Sequence, residues 1–364
     1  MNKKRLLCFL LSIMMILAGC SKQNKANPAN SNNQGNVSET QDQTETPQPT
    51  ETSRRQAYEQ SKYLVAETIQ SKALANNILD EPTERDVYIC LPPSYFESDK
   101  RYPVVYYLHG LGAKPSAFPM ASGMDLFKQF TGGAKEFILV CVDGDCKSNM
   151  GTSFYVNSPV IGNWEDYVVD EVVSYIDENY RTIAERDSRG ICGFSMGGFG
   201  SLNLALRHPD IYSSVFAISP CFYVDEDIES AIPIWKEQLM TGIARAFSPK
   251  VDDPDKIYGN IPKMDHSSED AKIIKDYKNG LGNLNQKLDD YVALNMPLKA
   301  IWIRYGEEEP YGWIPRACQE LAKGMDDRNI EYVVDSHSGG HIVESGVMEG
   351  QIVPFFDSNL VFDE

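Results

Sequence analysis

The chain has 364 residues, 52 acidic side chains against 34 Lys and Arg, a formal net charge of −18 and 42% hydrophobic residues. That length is enough for one large domain with a substantial core. The acidity argues against nucleic acid as a partner, since phosphates would be repelled, and a solvated acidic surface explains it without reference to a substrate.

Residues 1–19 read as a signal peptide rather than as part of the fold. Lys3, Lys4 and Arg5 form a basic start, and the apolar run 6–18 is too short to span a bilayer comfortably. Leu17-Ala18-Gly19-Cys20 resembles the lipobox of bacterial lipoproteins. That resemblance implies cleavage before Cys20 and lipid on its thiol, so the protein is expected outside the cell membrane, tethered by several acyl chains and not spanning it. Residues 20–55 are rich in Asn, Gln, Ser, Thr and Pro and nearly free of apolar side chains. Such a segment cannot bury enough surface to order itself, and as a stalk of about 35 residues it would reach on the order of 30 Å.

Residues 56–364 read as one α/β domain. Two early strands are predicted at 63–70 and 85–91, the second stopped by Pro92-Pro93. The near-continuous apolar runs PVVYYL (103–108) and FILVCV (137–142) have the pattern of strands covered on both sheet faces. Helical spacing of Tyr167, Val168, Val172, Tyr175 and Ile176 predicts an amphipathic helix over 164–180. Further strands are expected at 190–192, 214–219, 298–305 and 330–334, with a helix over 317–325. Residues 221–297 are polar and partly helical with no strong strand pattern, and read as an insertion before the penultimate strand, packed over the sheet's edge or mouth. Strands alternating with helices imply a mostly parallel sheet with chemistry at the carboxyl ends of its strands. Of the eight cysteines, Cys90, Cys141, Cys192 and Cys221 fall in or beside apolar runs and read as small buried hydrophobes; no spacing suggests a disulfide framework or a metal site.

Gly193-Phe194-Ser195-Met196-Gly197 fits G-x-S-x-G between an apolar run and a helical pattern, as a nucleophile elbow requires. Three fixed positions match by chance about once in 3,000 windows, so the strand-turn-helix context carries the reading. Ser195 is the candidate nucleophile, and the Met196 N–H beside it a candidate oxyanion donor. A serine hydroxyl needs a base, best a histidine. Of five histidines, His109 more plausibly shapes its loop, His208 sits at the far end of the elbow helix and His266 lies in the insertion. His341, preceded by two glycines after the last strand, is the chosen base, with His337 as the fallback. The orienting acid should follow the 298–305 strand, where Glu307, Glu308 and Glu309 all qualify and Glu309 is preferred. Leu111, after the 103–108 strand, is the second candidate oxyanion donor. Tyr155, Trp164 and Trp313 are candidate cleft residues, with core packing as the competing role.

Three matches, YPVVYYLHG at 102–110, GFSMGG at 193–198 and GGH at 339–341, make the chain resemble the esterase D and feruloyl esterase-like branch of the α/β-hydrolases, related to bacterial mycolyltransferases. DENYR at 177–181 fits the same pattern. The resemblance implies an α/β-hydrolase fold, Ser195 and His341 in catalysis, oxyanion donors at Leu111 and Met196, and the acid at Glu309; no cofactor and no metal are expected. Two departures are Glu where Asp is more usual and a long 221–297 insertion. The expected function is a surface-tethered serine carboxylesterase acting on feruloyl- or acetyl-type esters of polysaccharide or its fragments. The alternatives are an acyltransferase on the same triad and a non-catalytic carbohydrate-binding surface protein.

Overall fold

Tyr58 and residues 61–363 are described by the structure, a computed structural model; the expected signal peptide at 1–19, Cys20 and the expected stalk at 20–55 lie outside the described residues. The strands are β1 (Leu64–Gln70), β2 (Glu84–Cys90), β3 (Val104–Leu108), β4 (Ile138–Val142), the short hairpin β5 (Asn157–Ser158) and β6 (Gly162–Asn163), β7 (Arg189–Phe194), β8 (Ser214–Ile218), β9 (Ala300–Gly306) and β10 (Val333–His337). All but the hairpin form one sheet in the order β1-β2-β4-β3-β7-β8-β9-β10. Contacts of β2 with β1 and β4 are antiparallel, and the remaining neighbours run parallel. Every residue of β3, β4 and β8 is buried, which is why their sequences are continuously apolar and not alternating.

Helices cover both faces. They are α1 (Ala117–Thr131), α2 (Trp164–Asp166), which passes through a π-helical turn Tyr167–Val172 into α3 (Val173–Asn179), α4 (Met196–Arg207), α5 (Asp225–Ala231), α6 (Glu237–Phe247), α7 (Ser268–Leu281), α8 (Leu284–Ala293), α9 (Trp313–Asp326) and α10 (Val353–Asn359). On one face Phe118, Leu126 and Phe130 of α1 join Phe355 and Phe356 of α10 over Val105, Leu139 and Phe216. On the other, Phe199 and Leu202 of α4, Leu321 of α9 and Ile243 and Tyr277 of the 221–297 segment meet Tyr106, Val140 and Ile191. That segment is thus the four helices α5–α8, packed on one another and on α4 and α9.

Three differences from the sequence expectations have local causes. The last strand begins three residues later than expected, because Ile330 N–H returns to the Met325 carbonyl and Asn329 takes φ +52° to end α9. The helix expected at 317–325 starts earlier, at Trp313, where Tyr311 O accepts from Ile314 N–H. Helices α1 and α10 have no counterpart in the sequence reading, and α1 carries Pro119 and Gly123, both poor helix formers.

Candidate active site

Parallel pairing brings the carboxyl ends of β3, β7, β8, β9 and β10 to one edge of the sheet. Leu108 pairs with Gly193, Phe194 with Ile218, Ile218 with Arg304, and His337 with Gly306. The loops after these strands therefore converge around the turn from β7 into α4. Ser195, at that turn, holds φ +59° and ψ −116°, a costly conformation for a residue with a Cβ. Its neighbours make it possible. A Cβ on Gly193 would collide with the Gly197 carbonyl, and one on Gly197 with the Leu108 carbonyl, so only glycine lets strand and helix approach this closely. Ser195 N–H donates to Ile218 O at 2.9 Å, tying the turn to β8.

His341 Nε2 lies 2.8 Å from Ser195 Oγ. Its Nδ1 lies 2.9 Å from Glu309 Oε1, and the Glu309 side chain is fully buried. The pair is close but falls short of hydrogen-bond geometry, and neither Glu309 oxygen has another donor among the described residues. Glu307 and Glu308 are exposed; Glu307 accepts from Ser336 Oγ at 2.9 Å. The loop carrying His341 is laced to the glutamate loop through Glu307 N–H to His337 O and Glu308 N–H to Gly339 O. Phe194 tilts against the His341 ring at 4.8 Å and Tyr311 meets it edge-on at 5.0 Å, so the imidazole is held between two aromatic side chains. His337 is buried at the end of β10, accepts from Gly339 N–H at 3.1 Å and stands 3.6 Å from Glu344. It supports the loop and makes no contact with Ser195.

Met196 is the first residue of α4, whose N-terminus has no side-chain cap. Leu111 follows Gly110, and a Cβ on Gly110 would stand 3.2 Å from Ser195 Cβ. Neither the Leu111 nor the Met196 N–H donates to a protein acceptor among the described residues. Free N–H groups beside a serine hydroxyl, one of them at a helix start, can attract negative charge that develops there.

The aromatic candidates divide. Tyr155 and Trp164 are corrected to core residues, both fully buried. Tyr155 OH donates to His109 O at 2.9 Å, Trp164 Nε1 donates to Ile161 O at 2.9 Å, and the buried Arg85 guanidinium stacks 4.8 Å over the Trp164 ring. Trp313 is partly exposed, tilted against Tyr311 and stacked on Tyr223 at 5.2 Å, and so stands one ring removed from His341. The sequence reading missed Phe194 and Tyr311, whose only signal is position, next to Ser195 and two residues past Glu309. It also treated Cys221 as plain core. Lying three residues past β8, the strand beside β7, its Sγ is 3.4 Å from Ser195 Oγ. Burial pushes that thiol up to about 12, with the Ser195 contact working the other way.

The model of the esterase family described as "Putative esterase" matches residues 80–342. This chain belongs to that esterase family. A Mycobacterium tuberculosis protein named an esterase is 36% identical over 135 residues, 35% of this chain and 27% of that one. An endo-1,4-β-xylanase/feruloyl esterase of Xylanibacter ruminicola is 29% identical over 136 residues, 36% of this chain and 18% of its own length. The chain thus spans about a quarter or less of the curated relatives it matches. Among solved structures, a ferulic acid esterase superposes with TM-score 0.58 at 21% identity, covering 82% of this chain and 98% of its own. The Staphylococcus aureus S-formylglutathione hydrolase superposes with TM-score 0.55 at 16% identity, covering 81% and 98%. The fold is that of the α/β-hydrolases.

Proposed function

We propose that this esterase-family chain is a serine carboxylesterase in which Ser195 is the nucleophile, His341 the general base and Glu309 the residue that orients it. The observation that carries the reading is the 2.8 Å approach of His341 Nε2 to Oγ of a serine held at φ +59°. Ser195 Oγ attacks the ester carbonyl as its proton passes to His341 Nε2, and the buried Glu309 carboxylate stabilises the resulting imidazolium. The Leu111 and Met196 N–H groups receive the oxyanion, each worth about 100- to 1,000-fold in rate. His341 then gives its proton to the departing alcohol; water, deprotonated by the same ring, attacks the acyl-enzyme, and the acyl–Oγ bond breaks to release the acid as the ring returns its proton to Ser195 Oγ. Cys221 does not compete: with its thiol pushed up to about 12, the thiolate is scarce at neutral pH.

Feruloyl- or acetyl-type esters of polysaccharide are the proposed substrates. Support comes from the relative named a xylanase and feruloyl esterase, and from the partly exposed Tyr311–Trp313 pair beside His341, which suits a planar or sugar group. Export and lipid attachment at Cys20 are proposed on the sequence pattern alone. Side-by-side hydrolysis of methyl ferulate and p-nitrophenyl acetate tests the reading. Turnover of at least one, lost at least 1,000-fold in Ser195→Ala, is expected from the loss of the nucleophile. Undiminished turnover in that variant would overturn the mechanism, and faster acetate than ferulate turnover would move the acyl group from phenolic to small.

A further inference from the structure

His109 ends β3's run into the loop that carries Leu111, and it is 2% exposed. Its Nε2 accepts a hydrogen bond from the Gly144 N–H at 2.9 Å. A backbone N–H can only donate, so that nitrogen carries no proton. The proton of the neutral ring therefore sits on Nδ1, which donates to the Gly110 carbonyl at 2.9 Å. The Gly110 carbonyl and the Leu111 N–H belong to one trans peptide plane and point in opposite directions, so holding the oxygen aims the N–H.

The donor on the far side of the ring is itself braced. Asp143 Oδ1 accepts from Asp145 N–H at 2.9 Å, and its Oδ2 is held by Arg85 Nη1 at 3.3 Å. Arg85 is paired with Glu81, which also accepts from the N–H groups of Lys147 and Ser148. The buried Tyr155 OH holds the carbonyl of His109. Asp143 Oδ1 stands 3.7 Å from Nε2, beyond hydrogen-bond reach, so Gly144 is the partner that sets the tautomer.

We propose that His109 is a positioning residue, locked as the neutral Nδ1–H tautomer by the Gly144 N–H, that clamps the peptide between Gly110 and Leu111 and so aims the Leu111 N–H at the oxyanion. This rests on the reading of Leu111 as an oxyanion donor. His109 touches neither substrate nor Ser195 in this scheme; it acts through the peptide it holds.

Three substitutions separate this role from simple packing. His109→Asn keeps an N–H near the Nδ1 position, His109→Gln moves its amide out toward the Nε2 position, and His109→Ala removes both. On p-nitrophenyl acetate, Ala and Gln are expected to lower kcat by about 10- to 100-fold, less than outright loss of an oxyanion donor because the Leu111 N–H remains but is no longer held in aim, with KM changed less than about threefold. Asn is expected to recover most of that loss at an unchanged melting temperature. Asn as low as Ala in folded protein, or wild-type kcat in all three, would overturn the proposal. A second measurement needs neither activity nor variants. Long-range proton–nitrogen correlation on nitrogen-15-histidine protein should show His109 with a protonated Nδ1 and a bare Nε2. An Nε2–H or doubly protonated ring would overturn the proposal, even in a sample that hydrolyses no ester and so refutes the reading of the site.

Discussion

Glu307, Glu308 and Glu309 are chemically identical in the sequence, and only their surroundings separate them. Glu309 is enclosed beside His341 while its two neighbours face solvent. Glu309→Gln is therefore expected to lower kcat by about 100- to 10,000-fold, because the neutral amide cannot stabilise an imidazolium and can present the wrong tautomer partner. Glu307→Gln and Glu308→Gln should stay near wild-type activity in the same assay; equal losses at all three positions would show that the loop, not the carboxylate, is what matters. At this scale the serine and both glycines beside it were legible, because the elbow admits so few residue types. The aromatic side chains were not. Tyr155 and Trp164 look like cleft residues by type, but only the packed structure shows that their polar atoms are consumed by the backbone at His109 and Ile161.

Elements are placed by what they bury. The runs of β3, β4, β7 and β8 were legible because strands covered on both faces need apolar residues at every position. Helix α1 was not, since Pro119 and Gly123 obscure its period, and β10 was misplaced because the turn closing α9 at Asn329 has no distinctive sequence signal. The join between β2 and β4 is held by a fully buried ionic cluster, Arg85 with Glu81 and Asp143, under the ring of Trp164. Glu81→Ala would leave the Arg85 charge half compensated away from water. Urea denaturation should find it destabilised by about 3–5 kcal/mol, against less than about 1 kcal/mol for a partly exposed pair such as Lys128 with Asp125. A loss no larger than the exposed pair's would mean that water reaches the cluster.

Across the whole molecule, the six cysteines among the described residues are free thiols, and burial raises all of them. Cys90 and Cys221 are each pushed up to about 12 from an ordinary value of 9. The unfolded chain releases these protons near pH 9 while the folded chain keeps them, so their contribution to stability is complete below pH 9 and is lost as pH rises. Each thiol contributes a slope of about 1.4 kcal/mol per pH unit, so even three would consume about 8 kcal/mol over two units. Lys287, pushed down to about 8 by burial next to Arg207, has the opposite sign between pH 8 and 10.5 but is one group against six. Urea midpoints are expected to fall steeply between pH 9 and 11, and a flat profile there would contradict the burial of these side chains. The two-face layering was readable from the alternation of strand and helix. How the 221–297 helices pack over α4 and α9 was not, because polar amphipathic helices do not encode their partner in their own period.

The role of Ser195 is tested most simply by intact-mass analysis of the folded protein after treatment with an alkyl fluorophosphonate, followed by peptide mapping. A single adduct is expected on the peptide containing Ser195, absent in Ser195→Ala and formed much more slowly in His341→Ala. Folded wild-type protein that takes up no adduct, or takes it up at another residue, would contradict that role.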